Sequence, residues 1–315
     1  MSATLSFSVA ASKKMFLMGG VYLMNAFKRR KLRDAVLFSV PGFLIFTIFM
    51  LLPIFLSFYY SFTNWSGGDV TFIGLKNFRE MFTSSEYHIA IKNTFFFVAL
   101  SLFVKVPIAA VLAFLLYRTV RGYKVFRTVI FLPVIIAPIA IGMMFSILLN
   151  ADIGPVGQFF RNIGLKQFDI VWLSNPKYVL WAVCIPQIWS NIGLHVTLFL
   201  AGMQSVSEDV IESAKIDGAT SGIIFRKIML PLITEISQVS IIMTITGALK
   251  SFGIPWAMTT GGPGNASTFF SILMFTKAFE ESRFGYASAV SIMILFYGMM
   301  FTVAFKWIYK KLLGD

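Results

Sequence analysis

An all-α integral membrane protein with six crossing helices is the fold class this sequence predicts, and three observations predict it. Of its 315 residues, 57% are hydrophobic or aromatic and only 13% are charged, where soluble domains carry about 25% charge. Six stretches are apolar over about 20 residues or more, enough at 1.5 Å per residue to cross roughly 30 Å of hydrocarbon. The 27 Lys and Arg, against 14 Asp and Glu, gather in alternate connections between those stretches, as the positive-inside bias requires.

Taken in order, residues 1–34 come first and hold seven basic residues. Met15–Phe27 is a mostly apolar run, too short to span. The cluster Lys28-Arg29-Arg30-Lys31 follows the run, where a signal peptide would have it in front. An interfacial helix lying on the membrane is expected there. The spans lie near Ala35–Phe62, Thr94–Tyr117, Thr128–Leu149, Tyr178–Gly202, Ile233–Trp256 and Tyr286–Phe305, and together they form one six-span domain over 35–315. Pro41, Pro53, Pro107, Pro133, Pro138 and Pro186 fall inside them. Neighbouring helices can re-satisfy the backbone groups a proline frees, so kinked spans are predicted.

Of the remaining basic residues, four lie in Arg118–Arg127, three in 203–232 and three from Lys306 onward. The opposite side has three in 63–93, three in 150–177 and two in 257–285, while Lys105 and Lys250 fall within spans. Both termini and the 203–232 segment are therefore expected in the cytoplasm. The excess charge of +13 is topological, and nucleic-acid binding loses its main support.

Several chemistries drop out. A single cysteine, Cys184, allows no intrachain disulfide, and two histidines, His88 and His195, are too far apart for a helical zinc motif. No connection exceeds about 35 residues, short of an independent catalytic domain. Gly261-Gly262-Pro263-Gly264-Asn265-Ala266-Ser267-Thr268 lacks the lysine of a phosphate loop and reads as an extracytoplasmic turn. No cofactor, metal or catalytic group is expected on this chain. A solitary secondary transporter remains an alternative with little support, because the only acid inside a predicted span is Glu235, at the edge of the fifth. A membrane-embedded enzyme has still less.

The segment after span four is the informative one. Ser205 and Glu208 fit a capping box, Glu208 and Asp209 suit a helix start, and Gly218 suits a left-handed stop. A short amphipathic helix is predicted between them, with Val206, Val210, Ile211 and Ala214 on one face. A second helix is expected from Ser221 to Met229, ending before Pro231.

The spacing Glu212-Ser213-Ala214, then Gly218, then nine residues to Ile228 and Leu230-Pro231 resembles the EAA loop of binding-protein-dependent ABC importers, with Ser213 in place of an alanine. Phe72-Ile73-Gly74-Leu75-Lys76-Asn77-Phe78, Asn93-Thr94, Phe126-Arg127 with Phe131-Leu132-Pro133, Leu200-Ala201-Gly202, Asp217-Gly218-Ala219, Gly261-Gly262-Pro263 and Phe284-Gly285-Tyr286-Ala287 resemble its carbohydrate subfamily. The chain is thus identified as similar to maltose and glycerol-phosphate permeases, and to alginate or other oligosaccharide importers. The resemblance implies a type I importer permease fold in the bacterial inner membrane. It implies a second permease subunit, two ATPase subunits that use ATP and Mg, and an extracytoplasmic solute-binding protein. It also implies an ATPase-coupling role for Glu212, Ala214, Asp217, Gly218 and Ala219.

Substrate-pathway candidates come from spans two, four and five. Gln187, Asn191 and His195 recur at i, i+4, i+8, one helical face, and either bond neighbouring helices or contact substrate. Thr244, Gly247, Ala248 and Ser251 form a small, partly hydroxylated face on span five that suits either a sugar approaching the backbone or tight helix packing, and the resemblance places substrate contacts on these two spans. Lys105 and Lys250 have no acid within reach along their own spans. Facing a path, they would favour an anionic sugar.

Overall fold

The computed structural model describes residues 36–118, 122–165 and 170–313. The interfacial helix expected over Met15–Phe27 lies outside the described residues. The chain packs as two units, Met1–Ser57 and Phe58–Asp315.

In the first unit, helix α1 starts at Val36 and runs on into the second, to Tyr60. The second unit continues with α2 (Lys76–Thr83), α3 (Ser85–Tyr117), α4 (Tyr123–Ile135), α5 (Pro138–Leu148), α6 (Pro155–Asn162) and α7 (Val179–Gln204). After these come α8 (Glu208–Ile216), α9 (residues 221–232), α10 (Thr234–Leu249), α11 (Gly253–Thr259), α12 (Phe270–Phe275) and α13 (Phe284–Leu313). Among the described residues there is no strand, only an isolated bridge between Thr63 and Phe72.

Among the described residues five helices are long and apolar enough to cross a membrane, and a sixth crossing is made if α4 and α5 count as one. The expected six stretches are therefore present, with three corrections. The second begins at Ser85, nine residues before Thr94, because the polar residues at its start are satisfied inside the protein: the Tyr87 and Tyr297 hydroxyls share a hydrogen bond of 3.0 Å. The third is broken, not kinked: α4 and α5 meet at 97°, with Ile136 extended between Pro133 and Pro138. The fifth is interrupted at Lys250–Phe252, between α10 and α11.

Prolines explain three of the irregular turns; a fourth, Thr276–Glu280, has no proline after it. A proline lacks its N–H and crowds the carbonyl four residues back, and a widened π turn relieves both. Such turns occupy Thr47–Leu51 before Pro53, Ser101–Lys105 before Pro107 and Ile224–Met229 before Pro231. The helix expected to stop before Pro231 instead passes through it to Leu232 in this way.

Two apolar cores organise the second unit. One gathers Met81, Tyr87, Phe97, Ile141, Leu249, Phe269, Phe270 and Val290, and the other Ala109, Ala113, Phe199, Met203, Ile211, Ile224, Met229 and Ile233. The second core ties the 203–232 segment to α3 and α7, so that segment is packed, not a free loop.

Candidate functional site

Three irregularities of the backbone open onto one cavity of about 450 Å³. They are the π turn that ends at Lys105, the break between α4 and α5 lined by Pro133, Ile136 and Pro138, and the interruption at Lys250, Ser251 and Phe252. Non-helical backbone at membrane depth is tolerated where it is buried in protein or lines a cavity. Two of the interruptions also place a charged or polar side chain at the cavity wall: Lys105 at the first, Lys250 and Ser251 at the third.

Of the nine predicted pathway residues, eight line this cavity: Lys105, Gln187, Asn191, His195, Gly247, Ala248, Lys250 and Ser251. Thr244 lies behind the wall, fully buried, with its hydroxyl 3.4 Å from His195 Nε2. His195 Nδ1 shares a 2.8 Å hydrogen bond with the Ser240 hydroxyl. Ser251 Oγ donates to Gln187 Oε1, and Gln187 Nε2 donates to the Val183 carbonyl at 3.1 Å. The polar stripe on α7 therefore does both things open to it: it ties α7 to the fifth span and faces the cavity. Asn191 is the freest member: among the described residues it bonds only within α7, to the Gln187 carbonyl and the Ser190 hydroxyl.

Sequence reasoning missed Phe97 and Phe252 as cavity walls. Phe252 stacks on Trp256 at 5.4 Å between ring centroids. An aromatic in an apolar span looks like core, so only the run of non-helical residues after Leu249 could have pointed to it.

At the 203–232 segment, α8 spans Glu208–Ile216 and ends as predicted at Gly218, whose φ is +79°. Its stop is a Schellman motif: Ala219 N–H reaches the Ala214 carbonyl at 2.9 Å and Gly218 N–H the Lys215 carbonyl at 3.0 Å. The expected capping box does not form. Ser205 instead donates its hydroxyl to the Gly202 carbonyl at 2.7 Å, and Ser207 occupies the cap position. Ile211 and Ala214 are buried in the second core, whereas Val210, predicted on the same face, is exposed. Glu212 and Asp217 are exposed, and Ala219 is half-buried. Asp209, Ser213, Ala214, Asp217 and Ile228 line a shallow groove of about 430 Å³.

At the opposite end the quoted motifs meet one another. Asn77 Nδ2 donates to the Ser61 and Thr63 carbonyls at 2.9 and 2.8 Å, and Gly285 N–H to the Trp65 carbonyl at 2.9 Å. Asn93 Nδ2 donates to the Ala266 and Thr268 carbonyls, both at 3.0 Å, and Thr94 Oγ1 accepts from Phe270 N–H. The glycine-rich 261–268 stretch is thus a turn pinned by an asparagine.

These geometries belong to a known family. Residues 105–313 match the family of binding-protein-dependent transport system inner membrane components. The chain is 34% identical to the probable ABC transporter permease protein YurN of Bacillus subtilis, over 82% of this chain and 90% of that protein. This chain belongs to the binding-protein-dependent transport permeases. It is also 26% identical to the multiple sugar-binding transport system permease protein MsmF of Streptococcus mutans, over 82% of this chain and 88% of that one. In fold it matches a chain of a bacterial ABC transporter involved in the import of the acidic polysaccharide alginate, with a TM-score of 0.77, 23% identity and 89% and 96% of the two chains covered.

As a member of this family, the chain is a multi-pass inner-membrane permease subunit and not an enzyme. The family match begins at Lys105 and so takes in most of the cavity and the whole α8 segment. Among the described residues no three His, Cys, Asp or Glu side chains come together as a metal site.

Away from the cavity, the permease holds a buried cation, Lys277, with two partners. Lys277 Nζ lies 2.7 Å from both Glu86 and Glu281. Burial alone would lower its pKa, but hydrogen bonds to Glu281 and Glu86 and the charges of those two acids raise it above the ordinary lysine value. A raised ammonium contributes stability that is fully present at neutral pH and is lost only as pH climbs through the higher folded value. Lys277→Met leaves two carboxylates facing each other. With both acids more than a third exposed, about 1–2 kcal/mol of destabilisation is expected after allowing for solvent screening. The thermal midpoint in detergent should fall accordingly, and Lys277→Arg should recover most of it. An unchanged midpoint would show that the triad adds nothing to stability.

Proposed function

We propose that this permease carries a carbohydrate across the inner membrane as one subunit of an ATP-driven importer that works by alternating access. The observation that carries the reading is the cavity itself. Its neutral hydrogen-bonding groups (Gln187, Ser190, Asn191, Ser251) sit beside the aromatic walls Phe97 and Phe252 where three spans depart from regular helix. Sugars need hydroxyl partners and apolar faces together, and a few polar groups in an aromatic-lined pocket provide both. The sugar named for the Streptococcus mutans relative points the same way.

In this reading residues 203–232 and both termini are cytoplasmic, with residues 35–315 forming the permease domain. The partners are a second, non-identical permease, two ATPase subunits that bind and hydrolyse ATP with Mg, and an extracytoplasmic binding protein that delivers substrate. Glu212 and Asp217 offer exposed carboxylates to a basic ATPase surface. Ala214, Gly218 and Ala219 build the helix end that presents them. Because Ile211 and Ala214 are embedded in the second core with α3 and α7, movement of α8 is passed to the spans as rigid-body motion.

The test is reconstitution. The permease pair, the ATPase and the binding protein together should move labelled oligosaccharides into proteoliposomes with ATP, and no subset should. Uptake by this chain alone would overturn the importer reading. Within the complex, Glu212→Ala removes a charge that has no partner of its own chain among the described residues. Losing one side of a charge pair at a subunit contact slows or abolishes function when the other side is left unpaired. Substrate-stimulated ATP hydrolysis and uptake should drop at least ~10-fold, and normal values for both would remove Glu212 from the coupling contact.

A further inference from the structure

We propose that the cavity binds its sugar through an anionic group, a carboxylate or a phosphate, held by Lys105 and Lys250. The proposal rests on the carbohydrate reading above and narrows it. Both lysines line the cavity, they come from different spans, and among the described residues no Asp or Glu lines it.

Lys105 is the deeper of the two. Its residue is only 6% exposed, and among the described residues no carboxylate pairs with it. Twelve residues separate it from the end of α3 at Tyr117, about 18 Å along the helix axis. That is too far for the stem to carry its ammonium out to the interface. The neighbouring polar groups are already engaged: His195 with Ser240 and Thr244, and Gln187 with Ser251 and its own helix. Glu235, the nearest acid in sequence on the fifth span, is exposed at the other end of α10.

An unpaired ammonium in a low-dielectric interior is costly, and such residues in membrane spans mark ion or substrate paths. A neutral sugar offers it one hydrogen bond among many. An anionic oxygen offers a charge-assisted bond and removes the penalty of the isolated cation at the same time. Lys250, exposed at the interruption between α10 and α11, adds a second positive charge at the same wall. The cavity is thus electropositive without any built-in counter-ion, and the arriving substrate is the group that balances it. Two cations on separate helices suit either acidic groups on successive sugar rings or one dianionic phosphate.

Equilibrium binding of labelled probes to the purified permease–ATPase complex, with the binding protein left out, isolates the cavity. The probes are a uronic-acid trisaccharide, the neutral trisaccharide with CH2OH in place of each carboxylate, and a sugar phosphate. The complex should favour one of the acidic probes over the neutral one by ~10-fold or more, and which acidic probe is favoured separates carboxylate from phosphate. Lys105→Met with Lys250→Met should cut that ratio at least ~10-fold, and Lys105→Arg with Lys250→Arg should restore most of it.

Preference for the neutral trisaccharide, or an equal loss of acidic and neutral binding in the methionine pair, overturns the anionic inference and leaves the carbohydrate reading standing. If the methionine pair does not assemble, the ratio in the unmodified complex and in the arginine pair decides the matter. Reconstituted uptake of an amino acid or peptide but of none of the three sugars removes the carbohydrate reading itself.

Discussion

Gly193→Leu should yield no folded permease, and Gly193→Ala should already reduce its yield and thermal midpoint sharply. Gly193 lies where α7 crosses α4. A Cβ built there would fall inside van der Waals contact of the Ile130 carbonyl oxygen and 3.0 Å from the Phe131 Cα. Both obstacles are backbone, so no side-chain rotation relieves them. Membrane helices use small residues at such crossings because close backbone approach is their main source of packing energy. One methyl costs roughly 1–3 kcal/mol of overpacking, and an isobutyl group forces the helices apart. The damage would not stay local, because α4 ends at the Pro133–Pro138 break that forms one wall of the cavity. Gly222 is the internal comparison: it is exposed and nothing lies within 4 Å of its Cβ direction. Gly222→Ala should therefore leave yield and midpoint unchanged or slightly improved. The measurement is monodisperse yield in detergent with a thermal unfolding curve, and normal values for Gly193→Leu would mean that α4 and α7 are not packed as described.

The spans were legible because a run of about twenty apolar residues suits little besides a bilayer crossing. Their irregularities were only half legible. Pro53, Pro107 and Pro231 each go with a π turn, whereas Pro133 and Pro138 flank a 97° break. A proline announces a disturbance, and the packing around it decides which kind. The early start of α3 escaped hydropathy because Tyr87 and Asn93 are polar by composition but satisfied by Tyr297 and by the 261–268 turn, partners some 170 residues or more away. The capping box failed for a local reason: Ser205 found a nearer acceptor in Gly202. The cavity residues on α7 were readable from their four-residue spacing, since α7 stays regular through Pro186. Phe97 and Phe252 were not readable, because nothing in sequence separates an aromatic that packs from one that lines a hole.

Gly218→Val should reduce coupled uptake at least ~10-fold while leaving insertion of the spans intact, and the backbone of the α8 stop explains why. Gly218 sits at φ +79° and nothing lies within 4 Å of its Cβ direction. The objection to a side chain there is conformational, not one of space. A residue with a Cβ pays about 1–2 kcal/mol in the left-handed region, and β-branching adds to it. The easiest relief is to leave that region, which breaks both bonds of the Schellman motif, Ala219 to Ala214 and Gly218 to Lys215. Those two bonds set the angle between α8 and α9, and α9 is anchored in the second core by Ile224 and Met229. Without them α8 can swing or fray while the spans hold, so under the proposed coupling role a force delivered at Glu212 and Asp217 would be absorbed at the joint. A graded series separates this mechanism from general damage. Asn tolerates the left-handed region best among residues with a side chain, so transport per ATP hydrolysed should rank Gly218, then Gly218→Asn, then Gly218→Ala, then Gly218→Val. Equal coupling in all four would show that the turn is not a mechanical joint, and loss of membrane insertion in the valine variant alone would place its role in folding instead.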